Sequence, residues 1–155
     1  MRNKTVGQKT IVVLGTARND SNTLKALLNE PAFSGHELID LQKLKISPYS
    51  YKIAHDDDFL SVAEKMIAAD RIVFATPVYW YAMSGILKIF FDRLTELITT
   101  SKNLGRALAG KDVYLFSTGS DLELPNGFEV PFVRTCEYFN MNYQKSFYVC
   151  TADWK

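Results

Sequence analysis

Five short apolar or β-branched runs recur along the chain: Thr10–Leu14, Glu37–Leu41, Arg71–Thr76, Asp112–Ser117 and Ser146–Cys150. Stretches with helical spacing fill the gaps. Leu24, Leu27 and Leu28 follow the polar Ser21-Asn22-Thr23. Leu60, Ala63 and Ile67 follow Asp56-Asp57-Asp58, acids that suit a helix N-terminus. Leu87, Phe90, Phe91, Leu94, Leu97 and Ile98 make a third apolar face, entered through Ser84-Gly85. Phe128, Phe132, Val133, Cys136 and Phe139 make a fourth, with Pro131 near its start, where proline is tolerated. Five strands alternating with four helices predict βαβ units on a parallel sheet. The runs IVVL, RIVFAT and DVYLFS are largely apolar, as strands covered by helices on both faces require. In such a sheet ligands bind beyond the carboxyl ends of the strands. Function is therefore sought after residues 14, 76 and 117.

The 155 residues suffice for one domain, 1–155, with a sizeable core. Eighteen basic and seventeen acidic residues give a net charge of +1, which speaks against a nucleic-acid backbone binder. No apolar stretch approaches the ~20 residues of a membrane span. The basic start MRNKTVGQKTIVVLG has too short an apolar run for a secretory signal. Cys136 and Cys150 form no metal-binding spacing and read as reduced thiols of a cytoplasmic protein. His36 and His55 lack a ligand-like neighbourhood, so no metal site is expected. No Ser-His-Asp, Cys-His or paired-carboxylate set stands out, and no side chain is assigned a catalytic role.

The first loop, GTARNDSNT over residues 15–23, has one glycine and no lysine. It is neither a GxGxxG dinucleotide loop nor a Walker loop. It also lacks the paired acids that a magnesium-dependent phosphoacceptor domain needs. What it offers suits a terminal phosphate monoester. Thr16, Ser21 and Thr23 bring hydroxyls, Asn22 an amide, Arg18 a forked cation, and the following helix its free N–H groups. A plain helix cap by Ser21, Asn22 or Thr23 explains part of the same pattern. The second loop belongs to TPVYWYAMSGILKIFFDRL, residues 76–94. Pro77 holds the chain extended, and Val78, Tyr79, Trp80 and Tyr81 follow. Three consecutive aromatics cannot all face one core. At a sheet edge they can flank a flat heteroaromatic ring, or pack within the fold or between subunits.

Residues 10–99 resemble the NADPH-dependent FMN reductase family. GTARNDSNT is similar to its phosphate loop, and DDDFLSVAEKMIAADRIVFATPVYWYAMSGILKIFFDRLTEL to its central segment. Beyond residue 110 the likeness is one of topology. The resemblance implies a flavodoxin-like α/β three-layer sandwich: five parallel strands in the order 2-1-3-4-5, helices on both faces. It implies FMN as cofactor and NADPH or NADH as co-substrate. Thr16, Arg18, Ser21, Asn22 and Thr23 would bind the phosphate, Pro77, Val78, Tyr79, Trp80 and Tyr81 would run along the isoalloxazine, and Ser117, Thr118, Gly119 and Ser120 would close the pyrimidine side. It further implies hydride transfer from nicotinamide to flavin N5, then electron transfer to a small acceptor. Quinones, nitro- or azo-aromatics, free flavin and metal oxyanions are all compatible. The family is commonly dimeric. Relatives that carry an iron–sulfur cluster have cysteines in the segment that here reads KLKISPYSYKIAHDDDF, which has none. Its Tyr49 and Tyr51 cover the flavin, pack across a dimer, or lie on the surface. A flavodoxin-like electron carrier is the alternative, but such carriers are strongly acidic, and +1 is not. A fold that has lost FMN is a third reading, against which the intact Arg18 and Ser21-Asn22-Thr23 stand.

Overall fold

A computed structural model describes residues 7–52 and 54–154. The basic leading residues and the outermost bounds of the expected 1–155 domain lie outside that range. Five parallel strands pair in the order β2-β1-β3-β4-β5: β1 Thr10–Leu14, β2 Glu37–Asp40, β3 Arg71–Pro77, β4 Asp112–Gly119 and β5 Asn142–Cys150. Five α-helices accompany them: α1 Asn22–Leu28, α2 Phe59–Ala68, α3 Gly85–Arg93, α4 Lys102–Ala107 and α5 Val130–Tyr138.

The period of two along each strand sorts the core into two layers. Ile11, Val13, Ile72, Phe74, Val113 and Leu115 pack with α2, α3 and α5. Val12, Leu14, Val73, Ala75 and Phe116 face the other way, onto Ala26 and Leu27 of α1 and onto Phe33. Both faces are covered, the second more thinly. Phe33 sits in a short 3₁₀ turn, Pro31–Phe33, and meets Tyr114, Phe116 and Phe147 edge-on.

Several boundaries depart from the pattern of the sequence. β5 begins at Asn142, not Ser146, because Asn142, Tyr143 and Lys145 pair with β4 at the sheet edge, around a register shift that skips Gln144, and an edge has no need to be apolar. The third apolar stretch is α-helical only to Arg93 and then tightens into 3₁₀ over Leu94–Ile98. α4 has no apolar periodicity to announce it. It docks at Gly105, where a Cβ would fall 2.1 Å from the Leu97 carbonyl oxygen. The acids before α2 do more than cap. Asp57 Oδ1 accepts from Phe59 N at 3.1 Å, but both Asp57 oxygens also hold Arg93, and Asp58 accepts from Lys45 N at 2.7 Å. Lys88 and Asp92 form the exposed helix-surface pair that their spacing suggests.

Candidate functional site

Three loops leave the carboxyl edge of the sheet and are tied to one another. Ser84, the N-cap of α3, donates its hydroxyl to Gly15 O at 2.6 Å and receives Leu87 N at 3.2 Å. That bond brings the first loop onto the start of α3. Gly15 has to be glycine there, since a Cβ would lie 2.6 Å from the Leu87 Cβ. Thr23 and Thr118 share a buried hydroxyl–hydroxyl bond of 2.7 Å, which joins the first loop to the third. Val78 N donates to Thr118 O at 2.7 Å, joining the second to the third. Gln42 adds a clamp after β2, donating to Ala17 O at 3.0 Å.

The loops enclose a cavity of about 250 Å³ lined by Arg18, Ser21, Asn22, Thr23, Pro77, Val78, Tyr79, Thr118, Gly119, Ser120 and Thr151. Ten of these eleven were candidates from sequence. Thr151, the eleventh, follows β5 directly, and its N–H donates to Gly119 O at 2.8 Å. The carboxyl-edge rule applied to the fifth strand would have found it. Ser21 is the N-cap of α1: its Oγ accepts from Leu24 N at 3.1 Å. A serine hydroxyl that accepts one bond still has a proton to give. Cap and anion donor are therefore compatible roles. Among the described residues, no acceptor takes the N–H groups of Asn22 or Thr23. Among the described residues the Arg18 guanidinium pairs only with Asp20, at 3.8 Å, and both side chains are exposed. Its guanidinium is free to turn toward an anion.

Four candidates do not line this cavity: Thr16, Ser117, Trp80 and Tyr81. Thr16 is buried and spends its hydroxyl on Arg18 O at 2.9 Å, which shapes the loop. Ser117 is fully buried on the helix-rich face of the sheet, one residue out of phase with Thr118, and its hydroxyl has no hydrogen-bond partner. Tyr49 and Tyr51 do not line it either. They meet edge-on at 4.9 Å, Tyr49 also stacks against His55 at 5.8 Å, and Tyr51 is exposed.

Trp80 and Tyr81 border a second cavity of about 170 Å³, with Val78, Gly119, Ser120, Asp121 and Tyr148. The two cavities share Val78, Gly119 and Ser120 and are neighbours. Gly119 keeps the passage open: a Cβ there would come within 2.7 Å of the Tyr148 hydroxyl. That hydroxyl donates to Asp121 O at 2.8 Å, and burial pushes its pKa up. Tyr79 and Ala82 exchange two backbone bonds of 2.9 and 3.1 Å around Trp80-Tyr81, closing a two-residue turn. Both central residues have positive φ, 49° and 66°. Such turns favour Asn-Gly. A non-glycine residue in this region costs about 1–2 kcal/mol. Trp80 and Tyr81 recover little of it by burial, being 93% and 69% exposed.

A larger groove of about 510 Å³ lies elsewhere, between Leu97–Ala109 and Tyr138–Asn140, and holds none of the candidate residues. No helix among the described residues is long and apolar enough to cross a membrane.

Two curated relatives and one solved structure are similar to this chain. The YwqN protein of Bacillus subtilis (strain 168), named as an NAD(P)H-dependent FMN-containing oxidoreductase, is 32% identical over 125 residues, covering 73% of this chain and 67% of YwqN. YdeQ of the same organism, an uncharacterized NAD(P)H oxidoreductase, is 29% identical over 106 residues, 68% of this chain and 49% of YdeQ. The chain thus spans about two thirds and one half of these relatives. Among solved structures, the Trp repressor binding protein from Bacillus subtilis superposes with a TM-score of 0.71 at 26% identity, covering 90% of this chain and 83% of that one. The model of the NADPH-dependent FMN reductases matches residues 8–124, and the chain belongs to that family.

Proposed function

We propose that the chain is a single-domain FMN-dependent NAD(P)H oxidoreductase that acts on a small acceptor, in the cytoplasm and as a homodimer. The observation that carries this reading is the meeting of three loops around one cavity whose donors match a phosphate monoester. The residues fit FMN. Arg18, Ser21, Asn22 and Thr23 supply a cation, hydroxyls, an amide and unpaired N–H groups at one end. Pro77, Val78 and Tyr79 oppose Thr118, Gly119 and Ser120 at the other, with no side chain on Gly119 to fill the passage. When bound, FMN supplies two-electron chemistry between a reduced nicotinamide and the acceptor. The chain's own part is to hold and orient, and to exclude water from the walls that Val78 and Tyr79 form.

Free cysteines support the cytoplasmic setting: Cys136 is buried, which pushes its thiol up to about 12 and keeps it inert. For the dimer, α3, its 3₁₀ extension and α5 expose an apolar strip in which Ile98 and Tyr138 stand out. The absorbance spectrum of the purified protein tests the main reading. Flavin bands that bleach on anaerobic addition of NADPH are expected. Protein that carries no flavin and takes up none on addition refutes it.

A further inference from the structure

We propose that the groove between Leu97–Ala109 and Tyr138–Asn140 is a second small-molecule site, one that takes a compact aromatic carboxylate. None of its lining residues borders either cavity at the carboxyl edge of the sheet, so the inference stands apart from the FMN reading.

Size, surface and charge carry it together. At about 510 Å³ the groove is of the size that holds small molecules. Part of its lining is apolar. Leu97 and Phe139 are buried there, and Ile98 and Tyr138 stand exposed at the rim. Tyr138 and Phe139 meet edge-on at 5.6 Å, an arrangement that a third ring can join. The charge on the remaining wall has one sign. Lys102 and Arg106 lie four apart on α4, both exposed, and no Asp or Glu lines the groove. Among the described residues neither cation forms an ion pair. Like charges at this spacing repel one another on a helix. A carboxylate between them relieves that repulsion, and Arg106 can meet it with two parallel N–H donors. A bare inorganic anion would leave the aromatic surface in water, and a neutral ring would leave both cations unanswered. A twofold contact centred on the groove would bring two such cation pairs toward each other, which disfavours a second copy as the occupant. The neighbouring strip of α3 and α5 differs in this respect, because its Arg134 already pairs with Glu137.

The test is isothermal titration of the protein, with and without excess FMN, using 2-naphthoate and the uncharged 2-naphthamide as probes. Naphthoate is expected to bind at one site, FMN or no FMN, about tenfold more tightly than the amide, as a charge-assisted hydrogen bond would allow. Lys102→Glu combined with Arg106→Glu should remove that preference and leave amide binding as it is. Tyr138→Ala should weaken both probes about fivefold. All three positions are exposed, so the urea midpoint should stay in place in each variant. Naphthoate bound no more tightly than the amide overturns the inference. So does naphthoate that FMN displaces, or that the double variant holds as the wild type does. Protein that takes up neither probe overturns it too, and if Tyr138→Ala then breaks a dimer, the groove is a contact between copies instead.

Discussion

On the proposed FMN reading, Arg18 is the residue on which phosphate binding depends most. Its side chain is largely in water and, among the described residues, pairs only with Asp20, so the fold owes it little. Arg18→Ala should weaken FMN by about 1.5–3 kcal/mol, the worth of a hydrogen bond to a charged group. The stability of the FMN-free protein should stay within about 0.5 kcal/mol, as for other exposed substitutions. Titration of FMN fluorescence and urea unfolding separate the two. Gly15 predicts the reverse. A Cβ would stand 2.6 Å from the Leu87 Cβ and 3.0 Å from its N, so Gly15→Ala must push α3 off the first loop. A cost of about 1–3 kcal/mol in urea unfolding is expected, as for other overpacked sites. In sequence, Arg18 and Ser21-Asn22-Thr23 stood out because phosphate chemistry calls for those types at a helix start, and the fold gathers them at one cavity. Thr16 and Ser117 were not separable from them, because a hydroxyl's direction is set by backbone phase and loop shape, which composition does not encode.

At the scale of elements, a buried charge network fixes the segment between β2 and α2. Arg93, 1% exposed, places its guanidinium over Phe59 and donates to Asp57 at 2.7 and 3.0 Å and to Ser47 O at 2.8 Å. It also pairs with Glu96, which in turn meets His55 at 3.2 Å. Burial alone would raise the Asp57 pKa. The Arg93 hydrogen bonds, with the Ser47 and Phe59 N–H groups, outweigh it and hold the carboxyl well below its ordinary value. Asp57→Ala strands a buried guanidinium and should destabilise by about 3–5 kcal/mol. The stability this pair contributes is fully present above the ordinary carboxylate pKa of about 3.9 and is lost progressively as pH falls from there toward the lowered folded-state value, since the unfolded chain takes up the proton first. Acid unfolding of the wild type below about pH 4 should therefore be steeper than that of Asp57→Asn. Asp57 was legible in sequence as a helix-start acid, whereas Arg93, inside the third apolar face, was not singled out. Their bond was not legible either, because 36 residues separate them and only the fold closes the distance. α4 escaped for another reason. Its place is fixed by the close approach of Gly105 to the Leu97 carbonyl, and it has no hydrophobic stripe of its own.

Over the whole molecule, strand order and the three-loop cavity are one construction. The order β2-β1-β3-β4-β5 sends the loops after β1 and β3 to opposite faces of the sheet, which opens the crevice between them. That much followed from alternating apolar runs and from the family resemblance. The stitching that holds the crevice did not: Thr23–Thr118, Ser84–Gly15 and Val78–Thr118 join residues far apart in sequence. A ligand that bridges the same three loops adds its binding energy to the folded state alone. With FMN at a hundred times its dissociation constant, the gain is about 2.7 kcal/mol. For a domain of this size, each kcal/mol moves the melting temperature by about 2–4 °C, so FMN should raise it by about 5–11 °C. Arg18→Ala, melted at the same FMN concentration, should lose most of that rise while keeping the wild-type midpoint without FMN. Riboflavin, which has the ring and no phosphate, should shift both proteins equally. A wild-type midpoint that FMN and riboflavin raise alike would mean that the first loop does not hold the phosphate, and that the ring alone is bound.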